Sequence, residues 1–179
     1  MKWFTSDWHL NEKRITKDFN PFFRPFSSIR EQNELIISNM KKFISPDDEL
    51  YHLGDVSMDI DGLNLLDEID CKRKILVLGN YDVDDPEKMI HLKSKFTKVT
   101  KSIKLDIGDL RLYLNHYPVN MVEDRFNIVG HIHGLWKVQP NMVNVGVDAW
   151  YFRPVSLDEI KFVKKKKKKH YDKNVFPCI

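Results

Sequence analysis

Five short segments of this 179-residue chain carry side chains that can bind a metal ion: Asp7-Trp8-His9, Gly54-Asp55, Gly79-Asn80-Tyr81-Asp82, Asn115-His116-Tyr117-Pro118 and Gly130-His131-Ile132-His133. Each follows or closes an apolar run. Asp7 and His9 are two apart, so in extended backbone both side chains face the same side and can share one ion. His131 and His133 repeat that spacing behind a glycine that admits close backbone approach. Taken singly, each segment also fits an ordinary turn or a surface histidine. Together they supply two carboxylates (Asp7, Asp55), one amide (Asn80) and four imidazoles (His9, His116, His131, His133). Hard oxygen mixed with borderline nitrogen suits a pair of divalent transition ions better than a calcium cage or a thiolate zinc knot.

Such donors are useful only if the elements between them bring them to one place. Lys2 to Ser6 reads as a first strand ending at Asp7, and the segment Asn20 to Phe26 reads as packed irregular structure. A helix is predicted from Ser28, where Ser28-Ile29-Arg30-Glu31 fits a capping box and Ile29, Ile36, Met40 and Phe43 follow at helical spacing, up to Ser45-Pro46-Asp47. Glu49 to Leu53 reads as a strand delivering Asp55, Leu63 to Ile69 as a second helix, and Lys74 to Leu78 as the clearest buried strand. Asp85-Pro86-Glu87 opens a third helix with proline at its favoured first position. Ile103 to Ile107 and Leu110 to Leu114 alternate around Gly108-Asp109, which predicts a hairpin with His116 emerging on its inward face. Strands at Phe126 to Val129 and Met142 to Val145 follow. A capping box at Ser156 to Glu159 then starts a last helix that runs into the lysines. Strand-helix alternation followed by strands predicts an α/β (α+β) fold of two stacked sheets with helices outside.

Length and a hydrophobic content of 42% predict one unit with an ordinary core: a domain over residues 1–163 and a lysine-rich tail over 164–179. Without the six lysines Lys164 to Lys169, the formal charge of +3 becomes −3, so the body lacks the basic surface of a nucleic-acid binder. Two distant cysteines, Cys71 and Cys178, suggest no disulfide framework. The first residues do not read as a secretory signal and no apolar stretch is long enough to span a bilayer, so a cytoplasmic protein with no membrane partner is expected.

In order and rough spacing, Asp7-x-His9, Gly54-Asp55, Gly79-Asn80-x-Asp82, His116 and Gly130-His131-x-His133 resemble the metallophosphoesterase signature of the calcineurin-like superfamily over nearly the whole chain. Arg24-Pro25-Phe26-Ser27-Ser28, Tyr51-His52-Leu53-Gly54-Asp55 and Asn144-Val145-Gly146-Val147-Asp148 resemble its small single-domain members from bacteria and their viruses. The resemblance implies a four-layer αββα sandwich of two mixed β-sheets flanked by helices, in agreement with the architecture above; it also implies that Asp7, His9 and His133 bind one ion, that Asn80, His116 and His131 bind the other, and that Asp55 bridges them. Two ions about 3.5–4 Å apart can hold a bridging hydroxide for in-line attack on phosphorus. Asp55, Asn80, Tyr81 and His116 are thus the expected catalytic residues, with Mn²⁺ the expected ion and Ni²⁺, Fe²⁺, Zn²⁺ or Mg²⁺ as alternatives.

The chain departs from the family at Tyr81, where the usual histidine protonates the leaving group or contacts the phosphate. Some relatives have cysteine there and act on phosphodiesters, whereas a retromer subunit with an apolar residue there is a scaffold. With an ordinary pKa of about 10, a phenol is a poor proton shuttle near neutrality but can donate a hydrogen bond. Tyr81 is expected either to position phosphate or to pack. Asn11 and Glu12 stand where close relatives carry Gly-His. The expected activity is hydrolysis of a small nucleotide-like phosphodiester. A nuclease aided by the lysines and a non-catalytic scaffold are the alternatives. His52 reads as a satisfied core histidine, His91 and His170 as surface residues, and Trp3, Trp8, Trp136 and Trp150 as aromatic packing. Asp148 and Arg153 read either as ligand-orienting or as structural pairs.

Overall fold

The computed structural model describes residues 1–14 and 24–170. Asn20 to Phe23 of the predicted irregular segment lie outside it, as does Cys178. Among the described residues, ten strands form two five-stranded mixed sheets, and four α-helices accompany them. The first sheet has the order β10-β1-β2-β3-β4, built from β1 (Lys2–Thr5), β2 (Glu49–His52), β3 (Arg73–Val77), β4 (Lys98–Thr100) and β10 (Val155–Ser156). The second is β5-β6-β7-β9-β8, from β5 (Ile103–Ile107), β6 (Leu110–Leu114), β7 (Phe126–Val129), β8 (Val138–Gln139) and β9 (Met142–Asn144). Strands β1 to β4 are mutually parallel, as are β6, β7 and β9.

Alternation along the strands sorts side chains into two cores. Trp3, Leu50 and Leu76 face a core shared with Ile36, Ile37 and Met40 of helix α1 (Ile29–Phe43) and Leu92 of helix α3 (Pro86–Lys95). Their chain neighbours Phe4, Tyr51 and Val77 turn the other way, onto Leu112, Leu114, Ile128 and Val143 of the second sheet. Leu157 and Ile160 of helix α4 (Leu157–His170) close this inter-sheet core beside β1 and β10.

Both capping signals operate. Ser28 Oγ accepts from the Glu31 N–H, with the Glu31 carboxylate turned back to Ser27 instead of to the cap itself. At α4 the box is reciprocal, Ser156 Oγ accepting from Glu159 and Glu159 Oε2 from Ser156. The second helix departs from the expected Leu63 to Ile69. It begins at Ile60, because Asp59 caps Gly62 N–H at 2.8 Å, and tightens into a 3₁₀ turn over Leu65–Glu68 (α2, Ile60–Asn64). β3 is less buried than its composition suggests: Arg73 is exposed and only Leu76 and Val77 are fully enclosed, since the neighbouring β4 is three residues long.

Candidate metal centre

The carboxyl ends of parallel strands are where α/β sheets place their sites, and here two sheets contribute such ends to one spot. β1 leads to Asp7 and His9, β2 to Asp55, β3 to Asn80, β6 to His116, and β7 to His131 and His133. The Ser6 and Gly146 bridge, with Val147 N–H donating to the Ser6 carbonyl at 3.1 Å, ties the end of β1 to that of β9 across the sheets. Two glycines permit the approach. A Cβ at Gly54, whose φ is +93°, would lie 2.5 Å from Gly79 N and 2.6 Å from His116 Nδ1; one at Gly130 would lie 2.0 Å from Ser6 Oγ.

Asp7, His9 and His133 offer donor atoms all within 4.8 Å of one another, and so do Asp55, His116 and His131. Asp55 Oδ2 stands between the groups, 3.5 Å from His9 Nε2 and 3.4 Å from His116 Nε2. Asn80 Oδ1 is 3.2 Å from His116 Nε2, which adds the amide to the second group. All seven side chains expected to act as ligands are therefore gathered. Five of them, Asp7, His9, Asp55, His131 and His133, have φ between 47° and 74°, the left-handed region that non-glycine residues enter at a cost. Backbone of this kind is often found clustered at functional sites.

The donor set fits divalent cations. His9 Nε2 is buried with no hydrogen-bond partner among the described residues, a costly condition for a polar atom unless a ligand completes it. Burial, reinforced by the Arg24 charge, holds His9 well below its ordinary pKa and so in the neutral form a metal requires. Burial also raises the Asp7 pKa, although His116 and His133 oppose it. For Asp55 burial works upward too, but hydrogen bonding and charge from His116 prevail and bring it to about 2. Reciprocally, burial disfavours charged His116, and the Asp55 and Asp7 carboxylates overcome it to raise its pKa to about 9.

Asp82 is not a ligand. Its buried carboxylate accepts from the N–H groups of Asp55, Val56 and Gly79 at 2.8–3.0 Å, and so locks the β2 and β3 turns together. Tyr81 N–H donates to Asp55 Oδ1 at 2.9 Å, while the Tyr81 ring stands edge-on to His9 at 4.8 Å. The reading of His52 as a satisfied core residue needs correction: Nδ1 accepts from Gly54 N–H, but among the described residues Nε2 has no hydrogen-bond partner, and the ring stands edge-on to Trp8 and Phe96. Burial lowers its pKa to about 3, so it stays neutral. Trp3, Trp8 and Trp150 are packed in the cores. Arg153 is structural, paired with Glu159 and set over the Trp150 ring, whereas Asp148 Oδ2 lies 3.0 Å from His133 Nδ1.

A cavity of about 310 Å³ opens over the centre, lined by His9, Asp55, Asn80, Tyr81, His131 and His133, and also by Glu12 and Arg14. The last two were not singled out as site residues by their sequence, although opposite charges two apart just after Asp7-x-His9 were a usable signal. Glu12 is buried and grips the guanidinium through Nε at 2.9 Å and Nη2 at 2.8 Å. Arg14 itself remains exposed toward the opening. Lys88, also missed, is buried on α3, and its ammonium bonds the Ser57 and Tyr81 carbonyls, joining two ligand-bearing turns.

No family model matches the chain. The structure resembles that of AQ665, a protein of unknown function from Aquifex aeolicus, with a TM-score of 0.74 and 26% identity over 91% of this chain and 98% of that one. The two share one fold. In sequence the chain is 26% identical over 168 residues to the uncharacterized protein MJ1445 of Methanocaldococcus jannaschii, covering 87% of this chain and 86% of that protein. A more distant likeness is to YfcE, a phosphoesterase from E. coli, with a TM-score of 0.49 and 14% identity over 81% and 77% of the two chains. No helix among the described residues is long and apolar enough to cross a membrane.

Proposed function

We propose that the chain is a dinuclear metal-dependent phosphoesterase that hydrolyses phosphodiester bonds in a small, nucleotide-like substrate in the cytoplasm. The observation that carries this reading is the pair of three-residue donor groups with one carboxylate, Asp55, in reach of imidazoles from both. Two divalent cations, when bound, supply Lewis acidity toward a phosphoryl oxygen and lower the pKa of water. Mn²⁺ suits the mixture of carboxylate, amide and imidazole donors.

The chain's own residues do the rest. Asp55 serves both positions and keeps its orientation through the Tyr81 N–H. Asn80 and His116 hold the second cation from the side of β3 and β6. Arg14, anchored by Glu12, presents a permanent positive charge that can receive phosphate oxygens. Tyr81 donates a hydrogen bond to the substrate but does not shuttle a proton. A site without a proton donor of near-neutral pKa favours leaving groups that depart unprotonated, hence aryl and nucleotide diesters over alkyl monoesters. The cavity suits a small substrate better than a duplex. Of the basic run, Lys164 and Lys165 border Asp109 and Leu110 at the hairpin tip, and neither lines the cavity.

The test is turnover of matched aryl phosphodiester and monoester substrates with Mn²⁺, Ni²⁺, Mg²⁺ or Zn²⁺, in the wild type and in Asp55→Asn. Diester cleavage that is highest with Mn²⁺ and abolished in Asp55→Asn is expected. A strong preference for the monoester would overturn the substrate assignment. Metal-independent residual turnover, equal in both proteins, would overturn the enzyme.

A further inference from the structure

Arg24 has no atom in either donor group, yet one of those groups is held in place through it. Its side chain is completely buried, and all five N–H donors of the guanidinium are engaged. Nε donates to Asp148 Oδ1 at 2.6 Å, Nη2 to Asp148 Oδ2 at 2.8 Å and to the Asp7 carbonyl, and Nη1 to the Trp8 carbonyl at 2.9 Å and to Gln32 Oε1 at 3.1 Å. Those carbonyls belong to the turn in which Asp7 and His9 adopt φ of 60° and 47°. Gln32, equally buried on α1, adds a bond from Nε2 to the His9 carbonyl at 3.3 Å. On its other side Asp148 Oδ2 meets His133 Nδ1. A carboxylate can only accept, so His133 carries its proton on Nδ1 and leaves the Nε2 lone pair for the centre.

The contacts are one-sided. Arg24 reaches Asp7 directly, His9 through its turn and Gln32, and His133 through Asp148. Among the described residues it makes no hydrogen bond to Asp55, Asn80, His116 or His131. A fully buried ion pair is also a poor way to gain stability, because removing both charges from water offsets most of their attraction. Its value here lies in geometry: a planar fork is shaped to fix two carbonyls and a carboxylate together.

We propose that Arg24 and Asp148 act as positioning residues for one cation only, pre-forming the Asp7, His9 and His133 group so that its occupancy depends on them while that of the Asp55, His116 and His131 group does not. The inference rests on the dinuclear reading above and adds to it an asymmetry between the two positions. Lysine cannot replace Arg24, since three donors on one nitrogen cannot span Asp148 and both carbonyls. Asparagine at 148 keeps the size, but its NH₂ must face Arg24 Nε in one orientation, or Arg24 Nη2 and His133 Nδ1–H together in the other, so at least one contact becomes donor against donor.

The experiment is Mn²⁺ titration of metal-stripped wild type, Arg24→Met and Asp148→Asn, read by calorimetry, by bound metal per chain and by electron paramagnetic resonance. Expected are two ions with the exchange-coupled signal of a pair in the wild type. In both variants one ion should bind about 10–100-fold more weakly, the range typical of residues that support metal ligands. At limiting Mn²⁺ these variants should then give the hyperfine pattern of an isolated ion. Asp148→Asn keeps the test decisive if Arg24→Met does not fold. Ser28→Ala is the control for general loosening, since it removes the α1 cap without touching the centre, and should retain two ions. Unchanged affinities in Asp148→Asn, or an ion lost equally from Ser28→Ala, would overturn the proposal. A wild type that binds no ion would instead overturn the dinuclear reading.

Discussion

At the scale of single residues, the proposed activity turns on Tyr81. Its ring packs edge-on to His9 and also lines the cavity, while its backbone N–H supports Asp55 whatever the side chain is. Tyr81→His should therefore preserve metal binding and raise monoester turnover, up to the roughly 10²–10⁴-fold that a positioned general acid contributes. Diester turnover should change less. Parallel kinetics on the two substrates measure this, and an equal change in both would mean that proton donation is not what the tyrosine withholds. Arg14→Ala should raise KM for the diester several-fold with little change in kcat, the signature of lost uniform binding. The seven candidate ligand side chains were readable because their types and order are unusual together. Arg24 lies in a recognisable segment, but its role and that of Lys88 were not readable, because only the fold creates the carbonyls that each buried cation meets.

At the scale of elements, capped and periodic segments were legible and short ones were not. Ser28, Asp85 and Ser156 all cap the helices that follow them, with contacts local to a few residues. Ser156→Ala should cost about 1 kcal/mol in chemical denaturation, within the usual range for a lost cap. β4, β8 and β10 have two or three residues each, too few for alternation to register, and they exist because a neighbouring strand is there to pair with. Glycines at the strand ends belong to the same scale. Gly54→Ala would force a left-handed alanine against Gly79 and His116, and should cost more than about 2 kcal/mol from backbone strain and overpacking combined. Because the clash pushes apart the β2, β3 and β6 ends, metal affinity should fall along with the melting temperature. Unchanged metal binding in a destabilised Gly54→Ala would show that the closeness of those ends is not needed.

At the scale of the whole molecule, residues as far apart as 7 and 133 meet only in the folded state, so cations that bind there stabilise that state by mass action. Saturating Mn²⁺ at about a hundred times its dissociation constant should add roughly 2.7 kcal/mol per site. A chelator should reverse the gain in thermal melts, and Asp55→Asn should lose most of it. The sequence by itself determined the donor inventory, the α/β class, the long helices with their caps and the hairpin, since these depend on residue type, period and near neighbours. Tertiary structure alone decided the rest. It set which donors share a position, put five ligands into left-handed backbone, exposed Arg14 at the cavity and enclosed Arg24 against two carbonyls and Asp148. Those outcomes depend on where the ends of two separate sheets come to lie, a relation between segments that no local pattern encodes.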